Sequence, residues 1–208
     1  MEYHKIDGLF KRDEQTKKLV EGEFRNPAVE FLKDNVWEFT EKIDGTNIRI
    51  IWDGHKVEFR GRTDKAQIPS ELLNRLLELF GGDANEQIFE QNFGEKEIML
   101  IGEGYGAKIQ NGGNYRQDQD FILFDVVINN NYQSRGTVNE VAKMFNLDVV
   151  PIVLEGTIQE GIDFVKSKPK STIGTADMEG VVGRTKLELR DRCGGRVIVK
   201  IKVADFKE

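Results

Sequence analysis

Residues 41–60 read EKIDGTNIRIIWDGHKVEFR. Two extended runs, NIRIIW and HKVEFR, flank Asp53-Gly54, the dipeptide that tight type I′ hairpin turns prefer. Just upstream, VWEFT (residues 36–40) reads as another strand. The tetrapeptide Lys42-Ile43-Asp44-Gly45 therefore sits in a turn between two strands. Working outward, PSELLNRLLELFGG (residues 69–82) predicts a helix. Ser70 caps it, Leu72, Leu73, Leu76, Leu77 and Phe80 form its apolar stripe, and Gly81 ends it. EIMLIGE and FILFDVVI are strands rich in apolar residues. Helices are expected from Thr137 and Thr157, each with a glutamate three residues on, the capping-box pattern. MEGVVGR, LELRD and RVIVKIK read as strands, the last two joined by Gly194-Gly195. Strands linked by hairpins, with helices between groups, predict an α+β fold of largely antiparallel sheets flanked by helices. The regular β-α alternation of a doubly wound sheet is absent.

The chain has 208 residues and is expected to form a single domain over residues 1–208, with no accessory domain after it. A chain of this length buries roughly 70% of its unfolded surface, enough for a core of its own. The N-terminus has no apolar stretch behind a basic one, and no run of about 18 apolar residues occurs. One cysteine, Cys193, excludes an intramolecular disulfide framework. A free, inert thiol in a turn, a cytoplasmic location and no membrane partner are the expectations. The net charge of −6 excludes bulk electrostatic attraction to a polyanion. Any such contact must be local. Residues 184–202 offer a candidate face with Arg184, Lys186, Arg190, Arg192, Arg196, Lys200 and Lys202 against Glu188 and Asp191.

The tetrapeptide occurs twice, at Lys5 to Gly8 and at Lys42 to Gly45. The first copy is followed by the polar, poorly patterned LFKRDEQTKKL. The second is held between strands, which is what a nucleophile needs, because a small misplacement is costly in rate. Gly45 allows the backbone to bend and a phosphate to approach closely. Lys42 is thus the functional copy and Lys5 an ordinary surface residue. GEGYGAKIQNGGNY (residues 102–115) follows a strand and is rich in glycine. No helix pattern follows it, so it is no dinucleotide fingerprint. It places Glu103 at the end of a strand beside a long loop. In FILFDV, alternation puts Phe121, Leu123 and Asp125 on one face. An aromatic there could stack on a base, although strand aromatics are more often plain core. MEGVV places Glu179 in an apolar strand, where a carboxylate needs a cation or donors. VIVKIK puts Lys200 and Lys202 on one face and Val199 and Ile201 on the other. Two cations side by side call for an anion between them, and a phosphate fits that role.

Taken in order, these pieces resemble the covalent lysine nucleotidyltransferase superfamily of polynucleotide ligases and mRNA capping enzymes. Lys42-Ile43-Asp44-Gly45 is similar to its nucleophile motif and Arg60-Gly61-Arg62-Thr63 to the basic motif after it. Glu103, Phe121 to Asp125, Glu179-Gly180 and Lys200-Ile201-Lys202 follow in the family's order. TEKIDGTN, IQNGGNY and KIKVADF resemble the branch of nick-sealing phage and bacterial RNA ligases. The resemblance implies a nucleotidyltransferase domain and ATP-dependent RNA joining. AMP would become covalently bound to Lys42, pass to an RNA 5′-phosphate, and leave as a 3′-hydroxyl attacks. It implies ATP and magnesium or manganese as cofactors, and RNA with 5′-phosphate and 3′-hydroxyl ends as partner. Lys42, Lys200, Lys202 and Arg62 would be catalytic. Glu41, Asn47, Arg62, Glu103, Phe121, Glu179, Lys200 and Lys202 would contact the nucleotide, with Phe121 stacked on adenine. Asp44, Glu103 and Glu179 would hold the metal. A DNA ligase, a GTP-using capping-type enzyme and a non-catalytic nucleotide- or RNA-binding module are the alternative readings. The nucleotide that becomes covalently attached separates them.

Overall fold

The computed structural model describes residues 2–206. The chain opens with a short ribbon, β1 (Phe10–Arg12) and β2 (Leu19–Phe24), then α1 (Pro27–Phe31) and β3 (Trp37–Glu41). Next come β4 (Thr46–Trp52), β5 (Val57–Gly61), α2 (Ser70–Phe80), α3 (Asp83–Phe93), β6 (Ile98–Gly106) and β7 (Gln119–Ile128). They are followed by β8 (Asn131–Tyr132), α4 (Arg135–Met144), β9 (Ile152–Gly156), α5 (Ile158–Lys166), β10 (Gly180–Thr185) and β11 (Ile198–Lys202). The strand ladders are antiparallel and the helices fall between strand groups, as the patterning predicts. Contacts divide the chain into two compact units. One holds Asp44–Val150 with the N-terminal residues up to His4, and the other holds Lys5–Ile43 and the chain from Pro151 on. Among the described residues no helix is long and apolar enough to cross a membrane.

The unit built on Asp44–Val150 carries a five-stranded sheet in the order β5-β4-β6-β7-β8. Ile48, Ile50 and Trp52 of β4 point to one face with Ile98 and Leu100 of β6, and helices α2, α3 and α4 cover that face with Leu72, Leu76, Phe80, Phe89 and Val138. The helix predicted over 69–82 forms, but Ser70 is its first residue and Pro69 its N-cap, with no side-chain cap. Proline has no N–H, and the missing donor costs nothing in the first turn. Leu77, expected on the buried stripe, is exposed. The β4–β5 connection is a four-residue loop rather than a two-residue turn, since the last ladder pair is Trp52↔Val57. Asp53 accepts from the N–H groups of His55 and Lys56, each at 2.9 Å, and this local side-chain turn replaces the tighter one. The helix expected from Thr137 starts earlier, at Arg135, capped by Ser134.

The second unit carries a four-stranded sheet in the order β11-β10-β3-β9, with α5 packed on one face. Trp37 and Phe39 are fully buried in it, and burying one such phenylalanine contributes about 1.5–3 kcal/mol. The Phe39 ring has room because Gly183 faces it, where a Cβ would come within 2.7 Å of the ring. Thr157 and Glu160 form the predicted capping box at α5. LELRD does not form a strand. It holds a single bridge, Arg190↔Arg196, because Asp191 turns back to accept from the N–H groups of Cys193 and Gly195, each at 2.9 Å. Cys193 is an exposed free thiol in that turn.

Candidate active site

Lys42 lies one residue beyond β3, and backbone bonds fix where it leaves the sheet. The Lys42 N–H donates to the Gly180 carbonyl at 2.9 Å, and the Glu41 N–H donates to the Pro151 carbonyl at 3.0 Å. Its Nζ donates to Glu179 Oε2 at 2.6 Å. The other oxygen of Glu179 meets Lys202 Nζ at 2.5 Å. The three side chains are 23%, 18% and 32% exposed, so the triad is accessible but largely out of water. Glu179 is thus the anion beside Lys202, held between Lys42 and Lys202. Val199 and Ile201 point into the core, as the alternation predicts. The first copy of the tetrapeptide has a different task. The Asp7 carbonyl accepts from the Lys200 N–H at 3.0 Å, and the Leu9 N–H donates to the Lys200 carbonyl at 3.2 Å. Its backbone extends the sheet beside β11, while Lys5 itself is exposed.

Glu41 departs from expectation. Its carboxylate is buried and already engaged. Oε1 accepts from the Ser171 hydroxyl, and Oε2 accepts from the Thr172 N–H at 2.9 Å and the Thr172 hydroxyl at 2.5 Å. A carboxylate offers about four acceptor positions, and three are taken. Glu41 is therefore a brace for the end of β3 rather than a side chain presented to a nucleotide.

In the other unit, Asp44 and Gly45 lead into β4. The Asp44 carboxylate accepts from Asn111 Nδ2 at 3.0 Å, and its N–H donates to the Tyr115 hydroxyl at 3.3 Å. Gly45 is required by the neighbouring strand: a Cβ there would sit 2.3 Å from the Gly104 carbonyl oxygen and 2.9 Å from Glu103 Cγ. Asn47 is directly opposite Glu103 across the β4–β6 ladder, so their side chains share a face. Asn47 Oδ1 is buried and has no hydrogen-bond partner among the described residues. Arg62 is exposed on the loop after β5. That loop is pinned by Arg49, buried in β4, whose Nε donates to the Gly61 carbonyl at 2.8 Å and whose Nη2 donates to Asp64 at 2.7 Å. The Arg49 hydrogen bond holds the Asp64 carboxyl below its ordinary value.

Phe121 is a second correction. It is 2% exposed and packs edge-on against Phe80 at 5.7 Å, inside the helix-covered core. A Cβ at Gly102 would come within 2.4 Å of its ring, so that glycine exists to admit it. The ring faces away from Glu103. The alternation breaks two residues later. Gly102 pairs with Leu123 and Ile101 pairs with Asp125, which leaves Phe124 as an extra residue in a β-bulge. Leu123 and Val126 both belong to the helix-side core, so Phe124 and Asp125 turn together to the Glu103 face. Asp125, expected to share a face with Phe121, is instead buried there and accepts from the Tyr3 hydroxyl at 2.8 Å.

The expected metal set Asp44, Glu103 and Glu179 draws on both units. Among the described residues no group of three or more His, Cys, Asp or Glu side chains is arranged to hold a metal ion. Glu179 belongs to one unit and Asp44 and Glu103 to the other. Within the latter, two carboxylates and the unpartnered Asn47 oxygen adjoin Gly45, a set of hard oxygen donors of the kind magnesium and manganese take.

A family model described as RNA ligase matches residues 35–202. The chain belongs to the RNA ligase family. The match spans the charged site positions from Glu41 to Lys202. No curated protein sequence matches this RNA ligase family chain. Among solved structures, it is similar to a lysine-to-methionine variant of Naegleria gruberi RNA ligase with AMP and Mn, with a TM-score of 0.67 and 18% identity, covering 98% of this chain and 60% of that one. It is also similar to the Naegleria gruberi RNA ligase with PPi, with a TM-score of 0.64 and 20% identity, covering 86% of this chain and 53% of that one. At these identities the likeness is one of fold. The chain spans between half and two thirds of the length of those ligases.

Proposed function

We propose that the chain is an ATP-dependent RNA ligase that forms a covalent lysyl-AMP intermediate on Lys42. The observation that carries this reading is the triad Lys42–Glu179–Lys202. A lysine at a sheet rim has its amine 2.6 Å from a carboxylate that a second lysine also holds. In the first step the Lys42 amine attacks the α-phosphorus of ATP. The P–N bond forms, the bond to the β-phosphate oxygen breaks, pyrophosphate leaves, and the amine proton goes to solvent. An RNA 5′-phosphate oxygen then attacks the adenylate phosphorus and the P–N bond breaks. Last, a 3′-hydroxyl attacks the 5′-phosphorus and AMP departs. Lys200, Lys202 and Arg62 supply the positive charge that the developing transition state at phosphorus needs. The Glu179 pair orients the Lys42 amine and must open for attack.

The Asp44 and Glu103 carboxylates, with Asn47 Oδ1, are the residues that would hold a divalent ion in their unit, and Glu179 serves the lysines. When bound, the ion neutralises phosphate charge. Phe124, turned by the bulge to the Glu103 face, takes the adenine-stacking role expected of Phe121. The test is incubation with α-labelled ATP and magnesium, followed by denaturing electrophoresis. Label should stay with the chain, vanish with chelator, and be absent in Lys42→Ala. Covalent labelling from GTP in preference to ATP, or none from either, would overturn the reading.

A further inference from the structure

The segment between α5 and β10 is a small hairpin that bonds Glu41, the residue before the nucleophile, and runs into Glu179, the nucleophile's partner. Lys170 and Asp177 form an antiparallel bridge, the Ser171 N–H donates to the Ala176 carbonyl at 3.0 Å, and the Met178 N–H donates to the Pro169 carbonyl at 3.1 Å. Gly174 turns its tip at a φ of +65°. The near leg presents Ser171 and Thr172 to the buried Glu41 carboxylate. The far leg runs through Met178 into Glu179, whose carboxylate receives the Lys42 amine. Glu41 and Lys42 are consecutive. The chain thus closes a ring: from Glu41 to Ser171 and Thr172 by hydrogen bonds, along the hairpin to Glu179, and back to Lys42 by an ion pair.

The Ser171 N–H belongs to the hairpin's own ladder, and its hydroxyl also accepts from the Ile173 N–H at 2.9 Å, whereas the Thr172 hydroxyl is turned to Glu41. Both hydroxyls donate to the Glu41 carboxylate, on a residue that is 1% exposed. Burying that charge is costly, and charge-assisted hydrogen bonds are the arrangement that offsets it. The cost falls at the residue before Lys42, and the hairpin that meets it also sets the register of Glu179. We infer that Ser171 and Thr172 are positioning residues for adenylylation, holding the Lys42 amine and its Glu179 partner in mutual register through Glu41.

This inference rests on the proposed ligase activity, and one set of measurements separates the two. Single-turnover lysyl-AMP formation is measured at several ATP concentrations, beside joining of a nicked RNA that already carries AMP on its 5′-phosphate. Joining such a nick makes no bond to Lys42, so a device that positions Lys42 matters to the first reaction alone. Thr172→Val with Ser171→Ala should slow lysyl-AMP formation about 10- to 100-fold, the scale of a misplaced reacting group. The ATP concentration for half-maximal rate should stay within about twofold, and joining of the pre-adenylylated nick within about threefold. Thr172→Ser, which keeps the hydroxyl, should restore the first step. If the double variant does not fold, as judged by its thermal unfolding, each single variant carries the same comparison. Equal loss in both reactions, or wild-type rates in both, would overturn the inference. Absence of any lysyl-AMP in the unsubstituted chain would overturn the ligase reading itself.

Discussion

Lys42 and Lys5 stand in identical tetrapeptides, and their surroundings separate them. Lys42 is anchored by strand bonds on each side and paired through its amine, whereas Lys5 is exposed and its tetrapeptide meets Lys200 through the backbone, with Asp7 paired to Arg25. That difference was legible, because strands flank one copy and a polar stretch follows the other. Lys5→Ala should therefore label with ATP at the rate of the unsubstituted chain, exposed substitutions of this kind being worth less than about 0.5 kcal/mol. Glu179→Gln keeps the shape of the side chain and removes the charge that Lys42 and Lys202 share. It should cut lysyl-AMP formation by about 100-fold or more, the scale set by loss of one preorganised electrostatic contact in an active site. Wild-type labelling in Glu179→Gln would show that the triad is a packing feature. The bracing of Glu41 was not legible. Its partners lie 130 and 131 residues away in a polar loop, and a serine beside a threonine carries no periodicity and no spacing signal.

At the scale of elements, strand identity was readable and side-chain direction was readable only where strands stay regular. β11 is regular, so Lys200 and Lys202 share a face as their two-residue spacing requires. β7 is not, because one extra residue against Ile101 and Gly102 resets the alternation after Leu123. A bulge depends on the partner strand, so FILFDV alone does not disclose it. The correction is testable by comparing two aromatics three residues apart. Phe121→Ala empties a site in the core beside Phe80 and should lower unfolding free energy by about 3–5 kcal/mol. Phe124→Ala, half-buried on the opposite face, should cost less stability and should raise the ATP concentration needed for half-maximal labelling. The reverse pattern, with ATP dependence moved by Phe121→Ala at little cost in stability, would restore Phe121 to the adenine.

At the scale of the whole molecule, the charge balance sets how RNA is held under the proposed activity. Net charge is −6, and much of the basic stretch near the C-terminus is spent internally. Arg196 is buried and paired with Glu188, Lys186 is paired with Glu155, and Lys202 is paired with Glu179. Arg184 is buried as well. Arg190 and Arg192 remain exposed, with no carboxylate partner among the described residues. Sequence could count these cations but not their partners, since Glu155 reaches Lys186 only through the fold. Each phosphate neutralised on duplex nucleic acid contributes about −0.9 to the slope of log affinity against log salt. Two contacts predict a slope of about −1.8, hence roughly a tenfold weakening between about 50 and 200 mM salt, against the 10³- to 10⁵-fold of proteins that make six to ten contacts. The measurement is the RNA concentration for half-maximal joining of a pre-adenylylated nick across that range. Arg190→Gln and Arg192→Gln should each flatten the slope by about 0.9 and leave lysyl-AMP formation unchanged. A slope several times steeper, or one that neither substitution alters, would place the RNA contacts on a different surface.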